Sequence, residues 1–249
     1  MKRYQAIVSY DGTAYFGWQK TKAGPSIQEM LAEAIWKISP ASILPEAASR
    51  TDRGVHAEGQ SVAIDVNTYW EPKLLKNALN AYLPPDIRIT QVLPASPDFH
   101  PTLEAISKEY HYRLCLSAVQ NPIDRLYSWA FQHPIGVDLG KIERAAQDLV
   151  GTWDFSALTS QSYDNAICTI HRIQMAPLSG ERLEIAISGN RFLYKMARTM
   201  IGTLLYIGCG KLPSDCIPAL LMSKDRKKAG VTAPAHGLTL FKVNYSASS

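Results

Sequence analysis

At 249 residues the chain is long for one domain and comfortable for two, each large enough for its own core. Its composition, 46% hydrophobic and 19% charged, is that of a soluble globular protein, and its most apolar stretch, Met200 to Cys209, is too short to span a bilayer. The formal net charge is only +4, but residues 1–103 hold ten Lys/Arg against ten Asp/Glu while residues 104–249 hold sixteen against twelve, so the second half is the expected contact for a polyanion.

The chain opens with an alternating strand, Tyr4 to Tyr10, without the apolar core of a signal peptide, so a cytoplasmic protein is expected. A helix is predicted from Ser26 to about Ser39: Ser26 and Glu29 have capping-box spacing, and Ile27, Met30, Leu31, Ala34, Ile35 and Ile38 form its apolar stripe. A short strand near Ala47–Ser49 and an alternating strand from Gln60 to Val66 follow. Pro72 starts a helix through about Tyr82, ended by Pro84-Pro85, and Ile87 to Val92 reads as a strand. The order is β-α-β-β-α-β.

The second half repeats that order. A long strand is expected from Ala105 to Leu116, and a helix from Leu139 to Leu149 capped by Asp138. Strands follow at Ile170–Ala176 and Leu183–Ser188, then helices from about Phe192 to Ile207 and from Ser214 to Met222, and a last strand at Leu238–Val243. The fold class is therefore α+β: two ferredoxin-like halves with antiparallel sheets, joined side by side, with a catalytic cleft between them. The proline-rich stretch at 95–105 marks the boundary, giving halves of 1–103 and 104–249.

The four cysteines form no C-x-x-C pair, and no HExxH, Walker or EF-hand pattern is present, so no metal or cofactor motif is read. The most informative run is Ser49 to Ala57, Ser-Arg-Thr-Asp-Arg-Gly-Val-His-Ala. Asp52 lies between Arg50 and Arg53, and a guanidinium within contact distance favours the ionised carboxylate. That suits a nucleophile or electrostatic stabiliser better than a general acid. Taken alone, the run also reads as a surface loop with an Asp–Arg ion pair.

In the helix from Phe192, the positions of Arg191, Lys195 and Arg198 (i, i+4, i+7) place three cations on one face, with no acidic residue among them. They suit phosphates, or one of them suits a carboxylate from the other half. In the long strand, alternation sends Tyr110 and Tyr112 to one face and His111 to the other; an aromatic on a sheet is a base-stacking platform in many RNA-binding domains. Packing in the core is the alternative for both tyrosines.

Taken in order, Tyr10-Asp11-Gly12, Phe16-Gly17-Trp18-Gln19, Arg50-Thr51-Asp52-Arg53-Gly54-Val55-His56-Ala57, Lys108-Glu109-Tyr110-His111-Tyr112, Gly189-Asn190-Arg191-Phe192-Leu193-Tyr194-Lys195-Met196-Ala197-Arg198 and Thr232-Ala233-Pro234-Ala235-His236-Gly237-Leu238 resemble the tRNA pseudouridine synthase A family over nearly the whole chain. The resemblance implies an isomerase, without cofactor or metal, that converts uridines at positions 38 to 40 of the tRNA anticodon arm into pseudouridine. It implies Asp52 as the catalytic residue, Arg50 in RNA handling and base flipping, Tyr110 packing on the target base, and Arg198 pairing with the aspartate. It also implies a homodimer. Two positions depart from the family pattern: Pro101-Thr102 stand where an Arg is usual after Phe99-His100, and His111 stands where relatives often carry Arg. Two other functions remain open on the residues: a non-catalytic tandem RNA-binding module, and a nucleoside or glycoside hydrolase. The hydrolase requires a second carboxyl group near Asp52, for which Glu58 and Asp65 are nearest in sequence.

Overall fold

The computed structural model describes residues 1–40, 44–133 and 136–246. In chain order the elements are β1 (Lys2–Tyr10), α1 (Ile27–Ile38), β2 (Glu46–Ala47), β3 (His56–Val66), α2 (Pro72–Tyr82), β4 (Ile87–Pro94), β5 (Ala105–Cys115), β6 (Trp129–Ala130), α3 (Leu139–Asp148), β7 (Gly151–Asp154), β8 (Ile167–Leu178), β9 (Arg182–Gly189), α4 (Met196–Gly208), α5 (Cys216–Ser223) and β10 (Leu238–Tyr245). The architecture is α+β with mostly antiparallel strand pairing. It divides into two compact units, Met1–Ile106 with Thr239–Ser249, and Ser107–Leu238.

In the first unit β1 is the centre of an antiparallel set, pairing with β3 on one side and β4 on the other. Tyr4, Ala6, Val8 and Tyr10 alternate into the core, as the period of two in the sequence requires. Ile27, Leu31, Ala34 and Ile35 of α1 and Leu75 and Leu79 of α2 are buried as well. Ser26 caps α1 by accepting from the Glu29 amide at 3.3 Å, but Glu29 does not return the bond: its carboxylate pairs with Lys20 at 3.2 Å. Pro72 opens α2, where its missing N–H costs nothing.

The fourth strand position of this unit is shared. Short β2 pairs antiparallel with β3 at Val62–Ala63, while β10 pairs parallel with β3 at His56–Ala57. The sequence expectation kept all of 104–249 in the second half; the C-terminal strand instead lies in the first unit. Tyr245 anchors it there, donating to the Pro101 carbonyl at 2.7 Å and packing on Phe99 with ring centroids 5.6 Å apart. Pro101-Thr102 thus have structural work, since Thr102 Oγ1 also donates to the Ala47 carbonyl at 2.9 Å.

In the second unit the order is β5-β9-β8-β7, antiparallel throughout, with short β6 alongside the end of β5. Asp138 caps α3 through the Lys141 amide at 3.0 Å. Strands β6 and β7 were not foreseen from the sequence. The larger difference concerns α4: it begins at Met196, because Lys195 takes a left-handed conformation (φ +59°). Arg191 and Lys195 therefore precede the helix, and the expected three-cation helical face does not form. Arg191 donates to the Asn165 carbonyl at 3.2 Å, Lys195 lies over the Tyr194 ring at 4.8 Å, and only Arg198 is on the helix.

Candidate active site

The run around Asp52 is a loop held from several sides by the first unit. Gln60 of β3 takes both backbone groups of Ser49: its Oε1 accepts from the Ser49 amide at 3.2 Å and its Nε2 donates to the Ser49 carbonyl at 2.6 Å. The Ala48 amide donates to the Ser61 carbonyl at 2.8 Å. On the opposite side the Trp18 amide donates to the Thr51 carbonyl at 3.0 Å, and the Thr51 and Tyr10 hydroxyls share a buried hydrogen bond of 2.7 Å. Gly17 (φ +93°) lies so close that a Cβ there would stand 2.6 Å from the Thr51 carbonyl oxygen. The glycine of Phe16-Gly17-Trp18 is thus the reason this turn and the loop can touch.

Asp52 opens a tight turn. Its carbonyl accepts from the Val55 amide at 3.1 Å, and Gly54 takes the positive φ (+78°) that a turn of this kind needs at its third position. Directly after, buried His56 accepts the Gly12 amide proton on Nδ1 at 3.1 Å. Asp11 Oδ1 lies equally close to that nitrogen, but it already accepts from the Thr13 amide (2.9 Å) and hydroxyl (2.6 Å). The result is a half-buried carboxylate at the corner of a loop whose backbone is tied on both sides.

The flanking arginines do not behave as their spacing suggests. Arg53 turns its guanidinium over the Phe16 ring, with Cζ 4.1 Å from the centroid. Arg50 is exposed and, among the described residues, has no hydrogen-bond or ion-pair partner. Neither pairs with Asp52, so the local ion pair expected from the sequence is absent. Among the described residues no group of His, Cys, Asp and Glu has the spacing to hold a metal ion.

In the second unit Tyr110 and Tyr112 share one face of β5, and both are buried. They differ in use. Tyr112 is core: its hydroxyl donates to the Pro234 carbonyl at 2.9 Å, and burial pushes its phenol up. The Tyr110 ring is held edge-on by Phe192, with centroids 4.9 Å apart and planes at 72°. That contact also draws Phe192 out of the helix predicted to begin there. Lys108, two residues before Tyr110 on the same face, is buried, and burial together with the Arg191 charge lowers its ammonium to about 8. Arg198 is half-buried, with Nε donating to the Ala233 carbonyl at 2.7 Å. His111, on the other face, stands between Glu109 (3.0 Å) and Glu184 (3.1 Å).

A protein of this build, with a half-buried carboxylate on a clamped loop, matches a family of RNA-modifying isomerases: the family model described as tRNA pseudouridine synthase matches residues 6–102 and 145–246. The relative named tRNA pseudouridine synthase A 2 of Protochlamydia amoebophila is 45% identical over 250 residues, covering 98% of this chain and 95% of the relative. The tRNA pseudouridine synthase A of Chlamydia muridarum is 40% identical (96% and 90% covered), and that of Pseudothermotoga lettingae 38% (98% and 100%). The chain belongs to the tRNA pseudouridine synthase family, whose members isomerise uridine in tRNA.

Proposed function

We propose that this chain converts uridines at positions 38 to 40 of the tRNA anticodon arm into pseudouridine, with Asp52 as the nucleophile. The observation that carries the proposal is the presentation of Asp52: a carboxylate half-buried at the corner of a loop pinned by Gln60, Tyr10 and the Gly17–Trp18 turn. Pre-set positioning of a reacting group is worth a large share of a catalytic barrier. In the reaction the N1–C1′ bond breaks, the uracil turns, and a C5–C1′ bond forms. N1 gains a proton and C5 loses one, so mass is unchanged. The carboxylate attacks the sugar or the ring and is released at the end. One ionised carboxylate suffices for this, unlike glycoside hydrolysis, which normally uses two.

The base must leave its stack to reach Asp52. Tyr110, braced by Phe192, is the ring that packs on it, Arg50 serves base flipping, and Arg198 pairs with the aspartate. Among the described residues Arg50 meets no ion-pair or hydrogen-bond partner, which supports its assignment to RNA. The enzyme works without cofactor or metal, in the cytoplasm, as a homodimer; no helix among the described residues is long and apolar enough to cross a membrane. The test is a uridine-containing tRNA transcript mapped chemically for pseudouridine. Wild type modifies the anticodon arm and Asp52→Asn does not, while still binding the tRNA. Full activity of Asp52→Asn removes the assigned nucleophile, free uracil makes the protein a hydrolase, and binding without modification by wild type makes it an RNA-binding module.

A further inference from the structure

We infer that Arg53 and Phe16 together form a second RNA contact beside Asp52, in which the guanidinium, held flat on the ring, grips a backbone phosphate of the strand that carries the target uridine. The inference rests on the proposed function and extends it to a residue pair not assigned there. Arg53 follows Asp52 directly and is the second residue of the turn closed by the Val55 amide, so its backbone moves only with that of the carboxylate. Its Cζ lies 4.1 Å from the Phe16 centroid. Stacking occupies the face of a guanidinium and leaves its N–H groups, which lie in the plane, pointing outward. Arg53 is exposed, and among the described residues none of these donors meets an acceptor.

The platform is itself fixed. The Phe16 amide donates to the Pro25 carbonyl at 2.8 Å, and the ring packs so tightly on Gly24 that a Cβ at that position would overlap it. A cation beside a catalytic carboxylate would ordinarily fold onto it. Here the aromatic ring holds it off and leaves its five N–H donors oriented for a planar-forked acceptor. A phosphodiester accepts from such a fork at two oxygens. A ring beneath a charge that meets no acceptor among the described residues adds little stability alone, and it is apt for a polyanion that arrives as substrate.

The experiment compares wild type, Arg53→Ala, Arg53→Lys and Phe16→Leu on the tRNA transcript, with folding of each checked by circular dichroism. Expected for Arg53→Ala is a rise in Kd of about tenfold, as befits one charge-assisted contact. The slope of log K against log salt falls by about one. The single-turnover rate at saturating tRNA stays within about threefold of wild type. Phe16→Leu shows an intermediate loss, and Arg53→Lys keeps the salt slope without restoring Kd fully, since a point charge lacks the fork. A set of RNAs with one uncharged methylphosphonate each then locates the contact: one substitution near the target weakens wild type and leaves Arg53→Ala unaffected. Unchanged Kd and salt slope in Arg53→Ala overturn the inference. So does a collapse of its saturated rate at unchanged Kd, which places Arg53 in the chemistry. Because binding is read independently of modification, a wild type that binds but does not modify refutes the proposed reaction while leaving the phosphate contact to be judged.

Discussion

Replacing Gly17 by alanine tests whether the approach of the Phe16-Gly17-Trp18 turn to the Asp52 loop sets the geometry of the carboxylate. A Cβ at Gly17 would sit 2.6 Å from the Thr51 carbonyl oxygen, below the 3.0 Å that real Cβ contacts essentially never breach, so the backbones must separate by about 0.4 Å or more. Positive φ adds a strain of ~1–2 kcal/mol for a residue with a side chain, and relieving the overlap costs a further ~1–3 kcal/mol. The sum is about 2–5 kcal/mol. The displaced atoms belong to the peptide that leads into Asp52, whose carbonyl carbon would lie 3.0 Å from the new methyl. A misplacement approaching 1 Å costs about a hundredfold in rate, so a shift of half that predicts a loss of roughly tenfold. Gly210→Ala is the control: it shares the positive φ (+74°), but nothing lies within 4 Å of the added Cβ. Urea unfolding and single-turnover pseudouridine formation are measured for both. The reasoning is refuted if Gly17→Ala matches Gly210→Ala in stability and keeps its rate within about twofold of wild type.

Tyr10→Phe removes the buried 2.7 Å hydrogen bond to Thr51 and leaves that hydroxyl short of a partner. A loss of ~1–2 kcal/mol in urea unfolding, with a smaller drop in rate than Gly17→Ala, is expected; an unchanged midpoint contradicts it. Lys108 gives a pH signature. Its folded pKa, about 8, lies below the ordinary 10.5, so between these values the unfolded chain holds a proton that the folded chain has lost, and stability rises with pH across that window. Below about pH 8 the cost of burying the charge is present in full. Lys108→Met therefore gains most over wild type near pH 7 and loses that advantage by pH 10, by an amount on the order of 2–3 kcal/mol as an upper figure. Denaturation curves at both pH values decide it, and a constant difference between the proteins rejects the lowered ammonium. Measurements stop at pH 10 because burial holds the Tyr245 phenol up at about 12, an opposing dependence that begins as the unfolded tyrosine ionises.

Much of the scaffold was legible because it rests on local chemistry. Ser26, Pro72 and Asp138 start their helices where capping rules place them, and alternation from Tyr4 to Tyr10 gives the central strand. The loop around Asp52 was legible as a motif, but its supports were not. Gln60, Tyr10 and Gly17 act across long stretches of chain, and nothing in their own neighbourhoods marks them as partners of residues 49–52. Two departures from local pattern have the same cause. Arg53 is drawn from Asp52 by a distant ring, and Phe192 is drawn from α4 by Tyr110, leaving Lys195 to turn left-handed before a helix whose apolar spacing extends further back. Periodicity records what a segment can form, and tertiary contacts choose where it begins.

The parallel pairing of β10 with His56–Ala57 bears on how the protein is made. The first unit is not contiguous: its last strand emerges from the ribosome only after the whole of Ser107–Leu238 has been synthesised. Domains that fold during translation ordinarily finish in order, N-terminal first. Here the unit that carries Asp52 must wait for the other, so a nascent chain stalled before residue 238 leaves the strand just after the Asp52 turn without its parallel neighbour. The order of synthesis delays completion of the loop's supporting sheet until the second unit has been made.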